Sequence, residues 1–422
     1  MKWSWHGEEK KLTKIYPICF NNILSEFASE VIIHVMRYSL RFILFSLFGF
    51  AGCTFTDSKH TKNFVSITKL AHTINGRYEN VNDYLSFSCS GVSLTFLAPE
   101  SEFYIWIEDS ASNADSCNWL NVLISGKYYN SIHLKPGKRL YKINGTIDKD
   151  LITLIKATEP MVGEVRIYGL ELSKPFDDAQ AFDISYKHHI QFIGNSITSG
   201  YGNMVSIRDI PNGNPLTGFH PKNENAYQSY AMQTARNLNA SCMLVSFSGK
   251  GMYRNFSGDT SETLPKIYDR IHLNKKKSAL WDHSKQIPDI IVINLGSNDY
   301  YLERANNPVK DSVFVQTYIQ FLTKLIGLYP EAAFICVNGP MMNDTWPEGK
   351  NCCSRIQSNI KTVAAYFKSN ENRKMYTFFF DPQTEPFGED YHPSLATHTK
   401  MAEDLTNFIK TEVIHIEREK RN

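Results

Sequence analysis

Apolar runs of strand length, separated by segments of helical period, fill the sequence after residue 178. The five runs cover residues 190–193, 243–247, 290–295, 334–337 and 376–380. Between them, apolar residues recur three and four positions apart, as at Phe314, Tyr318, Phe321, Leu322 and Leu325. Near-continuous apolar strands that alternate with amphipathic helices are typical of a parallel sheet covered on both faces. The sequence therefore predicts an α/β domain over residues 185–416.

The preceding part of the chain has a different rhythm. Residues 63–175 contain short runs in which apolar and polar residues alternate, separated by turn-forming Ser, Gly and Pro. This spacing is typical of an antiparallel β-sandwich. A chain of 422 residues with 42% hydrophobic residues can supply a core for each of two domains. We therefore expect an all-β sandwich over residues 63–175, followed by the α/β domain.

The first 53 residues are interpreted as an N-terminal extension that ends in an export signal. Residues 36–41 carry two arginines, residues 42–50 are mostly apolar, and Ala51 and Gly52 precede Cys53. This order is typical of a bacterial lipoprotein signal, which predicts cleavage before Cys53 and a lipid on its sulfur. The apolar stretch is shorter than an ordinary membrane span, and the alternative is a buried helix. We expect a protein of the bacterial cell envelope, facing periplasm or exterior, that touches the membrane through its lipid only.

Charge and cysteine content narrow the function classes. The 45 Lys and Arg residues nearly balance the 43 Asp and Glu residues and form no long basic block, so nucleic-acid binding is not predicted. No spacing of cysteines and histidines resembles a zinc site, and we predict no metal. Among the eight cysteines, Cys89 and Cys117 could pair in an oxidising compartment.

Polar motifs follow four of the predicted parallel strands. Ser196 follows the first strand, Gly249 the second, Asn298 the third and His392 the last. Because ligands of open α/β sheets bind at the carboxyl ends of the strands, we expect these residues to share one edge. Each motif alone could be a helix cap, a turn or a solvated loop. Four of them in this order indicate a catalytic site.

The residue types suit acyl transfer. A serine hydroxyl is a poor nucleophile at neutral pH and needs a base to take its proton, for which His392 is the candidate. Asp390 or Glu389 could hold the imidazole and stabilise its cation. The backbone N–H groups of Ser196 and Gly249, with the side-chain amide of Asn298, are candidate donors for the oxyanion.

These four motifs resemble the conserved blocks of the SGNH, or GDSL-type, hydrolases. The sandwich with residues 156–159, followed by residues 194–198, 248–251 and 390–394, resembles carbohydrate esterase family 2 from about residue 65 to the C-terminus. The resemblance implies a jelly-roll sandwich joined to a flavodoxin-like SGNH hydrolase domain. The implied activity is removal of O-acetyl groups from plant polysaccharides or oligosaccharides of the xylan or mannan type by a serine esterase, without a cofactor.

The resemblance leaves open which group orients the catalytic histidine. The wider SGNH pattern places it three residues before the histidine, at Glu389, and the nearer family places it two residues before, at Asp390. Some members use a backbone carbonyl instead. We predict that Asp390 orients His392.

Aromatic residues in loops that follow the strands are candidates for stacking on sugar rings. Trp346 is the first choice, and Tyr253 and Tyr300 are the two further candidates. Ordinary packing is the alternative for each. Two other functions are considered. One is an SGNH esterase or lipase with different acyl substrates, although residues 201–219 show no long apolar lid. The other is a carbohydrate-binding protein with little catalysis.

Overall fold

The N-terminal half of the fold consists of antiparallel strands in two stacked sheets. The computed structural model describes residues 63–144, 150–175, 182–205, 213–371 and 374–414. The strands are β1 (Asn63–Ser66), β2 (His72–Asn75), β3 (Glu79–Val81), β4 (Tyr84–Phe87), β5 (Ser93–Leu97), β6 (Glu102–Asp109), β7 (Trp119–Ile124), β8 (Lys127–His133), β9 (Gly137–Asn144), β10 (Leu151–Lys156) and β11 (Val165–Leu172). One sheet has the order β3-β4-β11-β6-β9, with β1 paired to β11, and the other has the order β2-β5-β10-β7-β8.

The alternating sequence pattern indicates which side chains form the core of the sandwich. In β6, Phe103, Ile105 and Ile107 are fully buried, whereas the residues between them are partly exposed. Successive side chains of a strand point to opposite faces of its sheet, so the apolar set faces the second sheet. The predicted all-β sandwich is confirmed.

The second half contains five parallel strands and the longer helices. The strands are β12 (His188–Gly194), β13 (Ala240–Ser246), β14 (Ile290–Asn294), β15 (Ala333–Asn338) and β16 (Met375–Phe379), in the order β13-β12-β14-β15-β16. The α-helices are α1 (Ser196–Ser199), α2 (Tyr230–Asn237), α3 (Leu264–Ile267), α4 (Ser297–Tyr300), α5 (Asp311–Leu328), α6 (Cys352–Glu371) and α7 (Leu395–Phe408). Short 3-10 helices lie at Ala114–Ser116, Pro160–Val162, Pro221–Asn223, Ala226–Gln228, Tyr301–Ala305 and Glu389–Tyr391, and a π-helix lies at Ile409–Ile414.

Burial explains why these strands read as continuous apolar runs. Every residue of β13, β14 and β15 is buried, because helices cover both faces of the sheet. The predicted α/β class with a parallel sheet is confirmed. Since β12 lies between β13 and β14, the strand order reverses there, and the carboxyl ends of these strands are where an open α/β sheet is expected to bind its ligand.

The sandwich packs directly on the α/β part, and the described residues form one compact unit. Arg77 is fully buried and donates to the backbone carbonyls of Tyr268 and Arg270. The Cys89 thiol donates to the carbonyl of Ile271 at 3.6 Å. Polar groups of the sandwich therefore satisfy backbone groups of the α/β part, which fixes the two parts against each other.

A Cys89–Cys117 disulfide is absent from the described part of the chain. Both thiols are free and buried, and the Cys117 thiol donates to the carbonyl of Asn113. The predicted extension over residues 1–53, with its lipoprotein signal and the lipidation of Cys53, lies outside the described residues and stays a prediction. Within the described ranges, no helix has the length and apolar character needed to cross a membrane.

Candidate active site

The predicted site residues lie in the segments that follow the strands at the carboxyl edge of the parallel sheet. Ser196 is the first residue of α1, directly after β12, and Gly249 follows β13. Asn298 lies in α4, which follows β14. His392 follows the 3-10 turn Glu389–Tyr391 beyond the last strand. The short α1 begins where it does because the Asn195 side chain caps it, accepting from the Ile197 N–H.

The structure brings Ser196 and His392 into hydrogen-bond contact. The distance between Ser196 Oγ and His392 Nε2 is 2.8 Å, and Ser196 is 7% exposed. His392 Nδ1 lies 3.0 Å from the backbone carbonyl oxygen of Glu389. Because a carbonyl can only accept, Nδ1 carries the proton, and Nε2 is free to accept the proton of the serine hydroxyl. Burial lowers the pKa of His392 to about 4, so the imidazole is neutral at pH 7 and can act as a base.

The prediction that Asp390 orients His392 is wrong. Its carboxylate accepts from the Tyr201 hydroxyl at 2.6 Å and from the Gly218 N–H at 3.0 Å. Asp390 and Tyr391 are both left-handed, with φ of 50° and 61°, and this tight turn presents a carbonyl to the imidazole. The orienting group is therefore the third alternative, the Glu389 backbone carbonyl.

The carboxylate of Glu389 does not contact His392 either. It is fully buried and accepts from His220 Nδ1 at 2.7 Å and from Asn223 Nδ2 at 2.6 Å. The Glu389 N–H donates to the Gly202 carbonyl, and a Cβ at Gly202 would lie 2.5 Å from the Glu389 Cβ. Both acidic side chains thus hold the histidine loop against the segment that follows α1, and only glycine at 202 permits that approach.

Tyr201 is a site residue that the sequence reasoning missed. Its ring stacks on the His392 imidazole, with ring centroids 4.1 Å apart and an interplanar angle of 27°. Burial and the Asp390 carboxylate raise the pKa of Tyr201, so its hydroxyl stays protonated and keeps donating to Asp390. The available signal was a tyrosine between two glycines only five residues after Ser196.

The predicted oxyanion donors lie on connected loops. Gly249 has φ of 74°, a left-handed conformation that favours glycine, although a Cβ would meet no atom closer than 3.8 Å. Within the described residues, no acceptor takes the Gly249 N–H. The Asn298 side-chain amide donates to the Lys250 carbonyl at 2.9 Å, which ties the loops after β13 and β14 together.

Asp299 fixes the rest of the loop that follows β13. It is fully buried, and its carboxylate accepts from the N–H groups of Met252, Tyr253 and Arg254 at 2.9, 2.6 and 2.9 Å. Burial raises its pKa to about 6 against the effect of these bonds. Asp299 and Asn298 both lie in α4. The same short helix therefore carries a candidate oxyanion-hole donor and the carboxylate that anchors the neighbouring loop.

Residues 192–400, which carry these loops, match the model of the GDSL-like Lipase/Acylhydrolase family. This part of the chain is therefore similar to the GDSL-like lipases and acylhydrolases. The matched region includes the serine, glycine, asparagine and histidine that lie at one sheet edge. The family match and the geometry therefore point to the same site. The predicted resemblance to SGNH hydrolases is confirmed.

Two relatives align with the sandwich as well as with the GDSL-like domain. The cellulase/esterase CelE of Acetivibrio thermocellus is 32% identical over 333 residues, which are 78% of this chain and 37% of CelE. This chain therefore spans little more than a third of CelE. An acetylxylan esterase / glucomannan deacetylase of Cellvibrio japonicus is 25% identical over 335 residues, which are 78% of this chain and 85% of that protein.

A solved structure matches the same two-part fold. The family two carbohydrate esterase from Clostridium thermocellum, determined in complex with cellohexaose, is 29% identical with a TM-score of 0.71. The match covers 81% of this chain and 99% of that one. The sandwich followed by a GDSL-like domain is thus the arrangement found in a family two carbohydrate esterase.

The three aromatic candidates differ in exposure. The Trp346 side chain is 56% exposed, in a turn where Asn343 Oδ1 accepts from the Trp346 N–H at 2.8 Å. Tyr253 is half-buried and packs against the core. Tyr300 is fully buried, with its hydroxyl bonded to Asp311, so the prediction that it stacks on a sugar is wrong. Its ring packs edge-on against the ring of Phe314.

Replacing Tyr201 tests its contact with the imidazole. We expect Tyr201→Ala to lower the rate at which a fluorophosphonate labels Ser196 by about 10²-fold, because the imidazole loses the surface that fixes its orientation. Tyr201→Phe keeps the ring and loses the bond to Asp390, so its rate should lie between those of Tyr201→Ala and the parent. Mass spectrometry of the labelled protein gives the rates. A parental rate in Tyr201→Ala would show that the stacking has no positioning effect.

Proposed function

We propose that this protein is a serine esterase that removes O-acetyl groups from plant polysaccharides of the xylan or mannan type. The observation that carries the proposal is the contact of 2.8 Å between Ser196 Oγ and His392 Nε2, with Nδ1 held by a carbonyl. The names of CelE and of the Cellvibrio japonicus relative support esterase chemistry on acetylated polysaccharide. The cellohexaose bound by the Clostridium thermocellum relative supports a polysaccharide chain as ligand.

The geometry supports a two-step acyl-transfer mechanism. Ser196 Oγ attacks the acetyl carbonyl carbon while His392 Nε2 takes the hydroxyl proton. The N–H of Gly249 and the side-chain amide of Asn298 donate to the carbonyl oxygen as it becomes negative. The bond to the sugar oxygen then breaks, and His392 gives its proton to that oxygen, which leaves the acetyl group on Ser196.

The second step removes the acetyl group. Water attacks the acyl carbon, and His392 Nε2 takes a proton from that water. The tetrahedral intermediate expels Ser196 Oγ, which recovers the proton from Nε2, and acetate leaves. The imidazolium that forms in each step is stabilised by the Glu389 carbonyl at Nδ1 and by the face of the stacked Tyr201 ring.

Acetate release from acetylated xylan and acetylated glucomannan tests the activity. We expect Ser196→Ala to lower kcat by about 10⁶-fold, since loss of a serine nucleophile removes the covalent route. Ser358→Ala is the matched control, because Ser358 is exposed on α6, and it should match the parent.

Other outcomes separate the remaining candidates. Release that continues in Ser196→Ala would contradict the assignment of the nucleophile. A parent that hydrolyses only long-chain 4-nitrophenyl esters would favour a lipase. A parent that retains polysaccharide but hydrolyses neither substrate class would favour a carbohydrate-binding protein.

The low pKa of His392 predicts the acid limit of activity. The base must be neutral to accept a proton, and its pKa of about 4 keeps it neutral down to mildly acidic pH. For a soluble acetyl ester, kcat/KM should stay level as the pH falls from 7 and should drop as the pH passes through about 4. An inflection near the ordinary histidine pKa of about 6.5 would contradict the burial argument.

A further inference from the structure

A carboxylate of the sandwich contacts the loop that carries Gly249, whose N–H is a candidate oxyanion-hole donor. Glu159 follows β10 and is fully buried. Its Oε2 accepts from the Ser248 N–H at 2.7 Å, and its Oε1 accepts from the Ser248 hydroxyl. Both donors of Ser248 are therefore bound by a single carboxylate from the other part of the molecule.

Two anchors thus bracket the Gly249 N–H. Glu159 holds Ser248 on one side, and the Phe256 N–H donates to the Gly249 carbonyl at 2.8 Å on the other. The peptide group between Ser248 and Gly249 carries the N–H that would face an oxyanion. Its orientation follows from the atoms fixed immediately before and after it.

Glu159 is itself held from both parts of the fold. The Lys156 ammonium, fully buried, donates to the carbonyls of Thr158 and Glu159 at 2.8 and 3.1 Å. The Glu159 N–H donates to Glu224 Oε2 at 2.9 Å, and Glu224 lies in the α/β part. Sandwich and α/β residues therefore fix the backbone on which the Glu159 carboxylate stands.

The charges around Glu159 allow it to remain an acceptor. Burial raises its pKa, while the two bonds from Ser248 and the charge of Lys156 act in the opposite direction. Burial and the charge of Glu159 raise the pKa of Glu224 well above its ordinary value. Of these two buried carboxyl groups, Glu159 is the one with two donors bonded to it and is the one suited to carry the charge.

We propose that Glu159 is a positioning residue through which the sandwich sets the oxyanion loop of the esterase. This proposal rests on the proposed function. It assigns to the sandwich a part in the chemical step as well as any part in holding polysaccharide. The Gly249 N–H stabilises charge that exists only after the serine attacks, so a misplaced loop lowers kcat and leaves KM unchanged.

Kinetics of the full chain on 4-nitrophenyl acetate and acetylated xylan test the proposal. We expect Glu159→Ala to lower kcat by about 10²-fold at unchanged KM, the effect typical of losing one oxyanion donor. Glu159→Gln should be milder, because its side-chain oxygen can still accept from the Ser248 N–H. Ser248→Ala, which removes only the hydroxyl bond, should also lower kcat at unchanged KM.

A matched control separates positioning from general loss of stability. Glu164 is another buried sandwich carboxylate, bonded to Ser86, Arg166 and Lys275 and not to the oxyanion loop. Glu164→Gln should keep the parental kcat even where it lowers the melting temperature. If Glu159→Ala does not fold, the separate kcat and KM values of Glu159→Gln and Ser248→Ala decide between the two.

The outcomes distinguish this proposal from the proposed function. An active parent and an inactive Ser196→Ala, together with parental kcat in the Glu159 and Ser248 variants, would overturn the positioning role alone. A raised KM at parental kcat in those variants would overturn it as well, in favour of substrate binding by the sandwich. A parent without esterase activity would overturn the function on which the proposal rests.

Discussion

The hydrogen bond from His392 Nδ1 to the Glu389 carbonyl is the interaction on which the site depends. It fixes the tautomer that leaves Nε2 able to accept from Ser196, at 2.8 Å. Because the acceptor is neutral, the buried imidazole gains no ion pair, and its low pKa follows from burial. A base of this kind must be held by its surroundings. The stacked Tyr201 ring and the tight left-handed turn before His392 supply that support.

Acidic residues near the site hold loops and leave the imidazole to a carbonyl. Glu389 and Asp390 bind donors on the segment after α1, Asp299 binds three consecutive N–H groups after β13, and Glu159 binds both donors of Ser248. Buried carboxylates are stable only when several donors surround them, and loop N–H groups need acceptors. Each carboxylate therefore accepts from a loop that needs an acceptor, and together the four carboxylates fix the segment after α1 and the loop after β13 at one sheet edge.

Local sequence patterns were sufficient to predict the fold class and part of the active site. Near-continuous apolar runs predicted the parallel strands because both faces of the sheet are covered, and the edge positions of Ser196 and His392 followed from strand ends. The orienting group did not follow, since a spacing of two residues cannot show whether a carboxylate or a carbonyl meets the ring. Tyr300 was misassigned because a tyrosine after a strand can face the core as readily as a cleft. The Glu159 contact joins residues 89 positions apart, which no local pattern encodes.

The tautomer of His392 at neutral pH is the most direct test of a base oriented by a backbone carbonyl. Nitrogen NMR of protein labelled at its histidine rings, with the His392 signals assigned by loss in His392→Gln, reports which nitrogen carries the proton. We expect a neutral ring at pH 7, with the proton on Nδ1 and an unprotonated Nε2. A proton on Nε2 alone, or an imidazolium at pH 7, would contradict a base oriented by the Glu389 carbonyl.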